Sequence, residues 1–298
     1  MTTLNQREPG AGEEVAPGAA AAQNLKRRAV SAAVLVPIAL MTAYFGGWLF
    51  LLVCLVAGGA ILWEWTVLVL RNPDPRILLP GLSALFAAML LAGQSQAGGA
   101  VGMIVIGAVL AGGVLAAFPR RYPAPNPPFW AAGGVIYAGV GMLGPALLRN
   151  DAELGFVGLL FLFATVWTTD IFAYFAGRAI GGPLLWPQLS PNKTWAGALA
   201  GLAGGVAAGT LVAYASGVGS PAVAGVLALV LSVLAQGGDL FESAVKRRFG
   251  AKDTGNLIPG HGGVMDRLDG FLVAALAAVL IGILHQGTNA AARGLLVW

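Results

Sequence analysis

Nine apolar runs follow one another along this chain, at roughly 29–45, 47–70, 76–95, 99–118, 128–148, 154–177, 195–215, 222–244 and 270–286. Each approaches the ~20 residues that a helix needs to cross about 30 Å of hydrocarbon. The first is the weakest, being short and carrying Pro37. Hydrophobic residues make up 57% of the chain and charged residues 10%, where a soluble domain carries about 25% charged residues. The pattern specifies an all-α polytopic membrane protein of about nine transmembrane helices. Cys54 is the one cysteine and lies inside an apolar run, so neither a disulfide framework nor a cysteine metal site is expected.

A net charge of +4 would suit nucleic acid, but the positions of the charges argue against that partner. Alternating the runs across a bilayer from a cytoplasmic N-terminus puts 15 of the 17 basic residues on the cytoplasmic side and leaves Arg149 and Arg293 outside. That bias predicts an inner (plasma) membrane, multi-pass protein with a cytoplasmic N-terminus and an outer C-terminus. Residues 1–25, rich in Ala, Gly, Glu and Pro, read as a disordered tail. Transmembrane helices fill 26–150, and 151–298 holds the polar sequence expected to do chemistry. Trp48, Trp63, Trp65, Trp130, Trp186 and Trp195 lie near span ends, as interface aromatics do. The glycines between Gly201 and Gly209 permit close helix packing.

Five of the 13 acidic residues fall between Asp239 and Gly270, with five basic residues and one of the two histidines. A polar cluster embedded in membrane-grade sequence is costly and reads as a functional site. Asp239, Glu242, Ser243, Lys246 and Arg247 share one face if the helix from 222 continues to about 248. Asp266 and Asp269 stand one turn apart at the start of the last span. Between them lies the glycine-rich stretch Gly255–Gly263, interrupted by Pro259, where backbone N–H groups can approach a phosphate. Carboxylates with few histidines and no cysteine suit a hard cation such as Mg²⁺, and Lys and Arg beside it suit a polyphosphate. The bland alternative is that these acids and bases only pair with one another at a helix end. Arg248 fits a membrane-surface anchor, and Glu242 fits a partner for Lys246.

A second polar patch precedes the first. Asp170 lies well inside the sixth span and should face the bundle interior. Ser190-Pro191-Asn192-Lys193-Thr194-Trp195 follows. Its Lys-Thr pair is not a P-loop, since Asn192 replaces the glycine and no strand is expected before it. Ser190 and Thr194 fit helix caps equally well. Glu64, Asp74, Asp151 and Glu153 read as interfacial or loop residues and His285 as the outer end of the last span; none is assigned a function.

Taken together, Ser243-x-x-Lys246-Arg247, Lys252-Asp253 and Pro259-x-His261-Gly262-Gly263-x-x-Asp266-Arg267-x-Asp269 resemble the signature of the phosphatidate cytidylyltransferases. The Gly238-Asp239-Leu240 lead-in, the Ser190–Trp195 segment and Asp170-x-x-Ala173-Tyr174-x-x-Gly177-Arg178 resemble that family's other motifs. The detailed resemblance covers about residues 165–270. One departure is Ala196, where the family usually carries glutamate after Lys-Thr-Trp.

The resemblance implies a reaction: CTP and phosphatidic acid give CDP-diacylglycerol and pyrophosphate, with Mg²⁺ required, a second cation allowed, membrane lipid around the site and a homodimer as the assembly. By role, Asp239 and Asp266 are expected to bind metal, with Asp269 the next candidate. Lys246, Arg247 and Arg267 are expected to contact phosphates. Lys193, Ser190, Thr194 and Ser243 would complete the pocket, and His261 with Gly262 and Gly263 would shape the loop over CTP. Asp170 is either a further metal-site residue or an internal partner of Lys193. A secondary transporter would disperse its acids through several helices and show repeat symmetry, and neither is seen. A CDP-alcohol phosphotransferase would need Asp-Gly-x-x-Ala-Arg, whereas Asp269-Gly270 is followed by Phe-Leu-Val-Ala.

Overall fold

The computed structural model describes residues 33–255, 257–258 and 262–298. The expected tail, the Lys26-Arg27-Arg28 cluster and His261 lie outside the described residues. The described residues are predominantly helical. Helix α1 (Ala33–Phe45) is apolar but short. Among the described residues, eight helices are long and apolar enough to cross a membrane: α2 (Gly47–Leu70), α3 (Pro75–Gly93), α4 (Ala97–Ala117), α5 (Pro127–Arg149), α6 (Gly155–Ile180), α7 (Trp195–Ser216), α8 (Pro221–Arg248) and α9 (Met265–Gln286). Their bounds follow the hydropathy within a few residues, except that α8 and α9 extend into the polar sequence. A final short helix, α10 (Ala291–Leu296), folds back on α9.

Glycine sets how the site-bearing helices meet. The most extensive packing in the molecule is α6 on α7. A Cβ at Gly197 would lie 2.6 Å from Ala173 O, and one at Gly201 would lie 2.8 Å from Thr169 O. The two backbones therefore touch where larger residues would hold them apart. Helices α8 and α9 cross in the same way. A Cβ at Gly238 would meet Asp269 O at 2.8 Å, and one at Gly270 would meet Ala235 O at 2.7 Å. Asp239 and Asp269 sit beside this crossing, so the glycines that let the helices touch also bring two carboxylates together.

Between α6 and α7 the chain forms a small antiparallel hairpin, β1 (Leu184–Trp186) with β2 (Ser190–Thr194), in the register Leu184↔Thr194 and Trp186↔Ser190. Ser190 is therefore a strand residue and not a helix cap. Thr194 is a cap: its Oγ1 accepts from Gly197 N at 3.1 Å at the start of α7. Of the tryptophans expected at the interface, Trp48, Trp63, Trp186 and Trp195 are exposed, but Trp65 is buried. Its Nε1 donates to Trp130 O at 2.9 Å, holding α2 against α5. The faces turned outward carry leucine, valine and phenylalanine, among them Leu199, Leu211, Val226 and Phe86, as lipid requires.

Candidate active site

Helix α8 continues for two turns beyond its apolar part and carries Asp239, Glu242, Ser243, Lys246 and Arg247 along one face. Two polar groups form around this ridge. The first is open. Lys193, on β2, forms an ion pair with Asp239, and both side chains are about one-third exposed. Asp170, on the α6 face near the crossing, is exposed and lies within electrostatic reach of Asp269, Asp239, Lys193 and Arg267. Asp269 is half-buried, and its Oδ1 accepts from Gly270 N at 2.7 Å. Three carboxylates from α6, α8 and α9 thus stand within electrostatic reach of one another, with Lys193 and Arg267 close to Asp170.

The second group is closed. Lys246 Nζ lies 2.7 Å from Glu242 Oε2 and 2.8 Å from Asp266 Oδ1. Asp266 Oδ2 accepts from Thr254 N and Gly263 N, each at 3.0 Å. Glu242 has no exposed surface, and the Asp266 side chain is 8% exposed. A buried ion pair persists only where further hydrogen bonds complete it, and Asp266 has them. In this arrangement Asp266 fastens Lys246 to Thr254 and Gly263, two points of the segment between α8 and α9. The pairing of Glu242 with Lys246 matches its reading from the sequence.

The remaining nominated residues are distributed around these two groups. Ser243 and Ser190 are half-buried, and Arg247 and Arg267 are exposed. Arg247 Nη1 donates to Ala251 O at 3.2 Å, folding over the end of α8. Arg248 stands with its guanidinium 5.6 Å from the Trp130 ring centre, an aromatic contact that suits an anchor. Gly262 takes φ 85°, a left-handed conformation that favours glycine, and its carbonyl accepts from Ile258 N at 2.9 Å to close the loop.

Among the described residues, no three carboxylate, imidazole or thiol groups stand at metal-binding distance from one point. The donor chemistry of the open group nonetheless suits a hard cation, being all oxygen and open to substrate oxygens. Asp266 is less available, because three donors already occupy its two oxygens.

Glu64 is the residue that sequence reasoning missed. It lies within α2, is 1% exposed and reaches the loop before α9, so it is neither an interfacial nor a loop residue. Its one legible signal was that it is the sole charged side chain in a 24-residue apolar helix, which by itself points inward. Thr254, its partner, gave no signal at all.

The family model described as "Cytidylyltransferase family" matches residues 26–284, which span every helix above except α10. The chain belongs to the cytidylyltransferase family. It is 44% identical over 261 residues to a phosphatidate cytidylyltransferase of Brucella abortus (strain 2308), covering 87% of this chain and 93% of that protein. The corresponding protein of Brucella melitensis biotype 1 is 43% identical over 263 residues with the same coverage. A phosphatidate cytidylyltransferase of Bacillus subtilis (strain 168) is 40% identical over 126 residues, 42% of this chain. Similarity to the Brucella proteins therefore extends through both halves of the helical bundle, including the helices that bear no nominated site residue.

Proposed function

We propose that this chain is a phosphatidate cytidylyltransferase, transferring CMP from CTP to phosphatidic acid and releasing pyrophosphate. The observation that carries the reading is the open group, in which Asp239 pairs with Lys193 and lies within electrostatic reach of Asp170 and Asp269, on helices whose outer faces are apolar. Such a place gives a water-borne nucleotide and a membrane-borne phosphate access to the same atoms. The family membership and the names of the relatives support the same reaction.

A phosphate monoester has a second pKa near 6, so phosphatidate is largely dianionic at neutral pH and needs little help from a base. One of its oxygens attacks the α-phosphorus of CTP; the new P–O bond forms as the bond to the β-phosphate oxygen breaks. The barrier is chiefly the repulsion of two polyanions and the charge growing on pyrophosphate. Lys193 and Arg267 stand at the open group to offset that charge, and Lys246 is aimed by Glu242 and Asp266 to do the same. Asp239 and Asp269 would hold Mg²⁺, with Asp170 as the further oxygen donor; Asp266 would join them on releasing one of its three donors. A bound divalent ion would orient the polyphosphate and stabilise the leaving pyrophosphate.

The basic residues at the site-bearing end, Arg71, Arg76, Arg120, Arg121 and Arg178 among them, support a cytoplasmic orientation for it. Homodimerisation follows from the resemblance, and a monomeric mass in native detergent or lipid would contradict it. The enzyme reading is tested with purified protein, radiolabelled CTP, phosphatidic acid and Mg²⁺. Label should enter the lipid phase and stay out of it when EDTA is present; a well-folded sample that moves no label overturns the reading.

A further inference from the structure

Glu64 stands 190 to 201 residues before the groups it binds, in a helix that carries no nominated site residue. Its Oε1 accepts from Val264 N at 2.9 Å. Its Oε2 accepts from Met265 N at 2.8 Å and from Thr254 Oγ1 at 3.3 Å. These three partners are all donors, a set that an acceptor-only carboxylate satisfies and an isosteric carboxamide does not. Helix α9 has no cap of its own, since Val264 offers no side-chain hydrogen bond at its start. The first N–H groups of a helix need acceptors, and Glu64 provides them from a different helix.

The glycines of the loop are fitted to this side chain. A Cβ on Gly263 would lie 2.7 and 2.8 Å from the two Glu64 oxygens and 2.2 Å from Thr254 Oγ1; one on Gly255 would lie 2.9 Å from Glu64 Oε1. Part of the reason for glycine at 263 is therefore room for Glu64, apart from any approach to phosphate. The same short segments are held a second time by Asp266, through Thr254 N and Gly263 N. Two carboxylates on separate helices thus tie Thr254 to the start of α9, and the second of them also pairs with Lys246.

We infer that Glu64 is a positioning residue of the cytidylyl transfer: it fixes the start of α9 and the loop before it, and through Asp266 it fixes where Lys246 points. The inference rests on the cytidylyltransferase reading for its catalytic consequence, but not for its structural one. A local serine or threonine could cap α9 more simply. Burying a carboxylate among apolar helices costs several kcal/mol unless its oxygens are bonded, and the return here is a loop held to α2 independently of substrate. Preorganisation of this kind acts on the rate because the misplacement of a charged group by an ångström is enough to slow a reaction.

The test uses the full-length protein in detergent or lipid, with Glu64→Gln, Glu64→Asp and Thr254→Val beside wild type. Steady-state kinetics and hydrogen–deuterium exchange of the peptides covering 252–266 are read together. Glu64→Gln should lower kcat by about tenfold to a hundredfold, the range typical of groups that orient a reactive site from behind, with the KM for phosphatidic acid unchanged. Exchange should quicken in 252–266 while α6 and α7 keep their wild-type protection, and Glu64→Asp should recover part of both. Wild-type kinetics and exchange in Glu64→Gln would overturn the inference, as would exchange that quickens equally throughout the bundle. Should Glu64→Gln not fold, Thr254→Val removes one donor of the three; a smaller loss of kcat with the same local quickening sustains the inference, and no change in either overturns it. Wild-type protein that moves no label would sink the enzyme reading alone, because the exchange contrast still reports these ties.

Discussion

At the end of the bundle away from the site, Asp151 commits both oxygens to backbone. Oδ1 accepts from Glu153 N and Leu154 N at 3.0 Å, and Oδ2 accepts from Arg293 N at 2.8 Å, tying α6 to α10. Arg293 then bonds Glu153 and Gln286. At the other end, Asp170 is exposed, Asp239 and Asp269 are half-buried, and Asp239 pairs with Lys193. Both ends hold carboxylates close together, so proximity alone does not separate structure from chemistry. The difference lies in what holds the oxygens: backbone N–H groups fix buried Asp151, whereas Asp239 is partly exposed and pairs with a lysine side chain that a cation or phosphate can displace. Asp266 and Glu64 form a third class, held by backbone N–H groups like Asp151 but at the site-bearing end.

This comparison can be broken by substitution. The largest effect belongs to Asp239→Asn, which should reduce label transfer by about a hundredfold to a thousandfold, the scale of losing one group that stabilises transition-state charge; its far-ultraviolet circular dichroism should match wild type. Next comes Lys193→Met. Removing one charge-assisted contact of about 1.5–3 kcal/mol should raise the KM for CTP by roughly tenfold or more, measured at saturating phosphatidic acid. At the opposite end, Asp151→Ala should cost about 1 kcal/mol for each backbone hydrogen bond it loses, to Glu153, Leu154 and Arg293, lowering the melting temperature while leaving the rate per folded molecule unchanged.

The smallest expected effect is at Asp74, which caps α3 by accepting from Arg76 N at 2.9 Å. The Arg76 guanidinium, 2.8 Å away, and then the Tyr122 hydroxyl hold its carboxyl well below the usual aspartate range despite its burial. The stability that this adds is present above the ordinary aspartate pKa of about 4 and is lost as pH falls towards the folded value. Thermal melts at pH 7 and pH 3 should therefore show the gap between wild type and Asp74→Asn narrowing at the lower pH. A gap that widened in acid would contradict the assignment.

Much of this architecture was legible because lipid imposes a length on apolar runs, and α2 to α7 follow those lengths closely. The hairpin was not. Ser190-Pro191-Asn192-Lys193-Thr194 has Thr194 as its one β-branched residue, no aromatic, and both Pro and Asn, which strands avoid, so only its pairing with β1 makes it one. Helix α10 is too short for hydropathy to register, and it is held by a glycine contact: a Cβ on Gly294 would lie 2.2 Å from Gly282 O. At the site, helical spacing by itself puts Asp239, Glu242 and Lys246 on one face. Glu64 escaped because its role depends on Thr254 and Val264, nearly two hundred residues away, and no local pattern encodes such a contact.

The account turns on partly exposed carboxylates at one end of the bundle doing the chemistry that the buried, backbone-bonded Asp151 at the other end does not. The most direct measurement is transfer of radiolabel from CTP into the lipid phase by wild type, Asp239→Asn and Asp151→Asn, prepared alike and normalised to folded protein. The account predicts EDTA-sensitive transfer by wild type and Asp151→Asn, and background transfer by Asp239→Asn. Near-wild-type transfer by Asp239→Asn would contradict it.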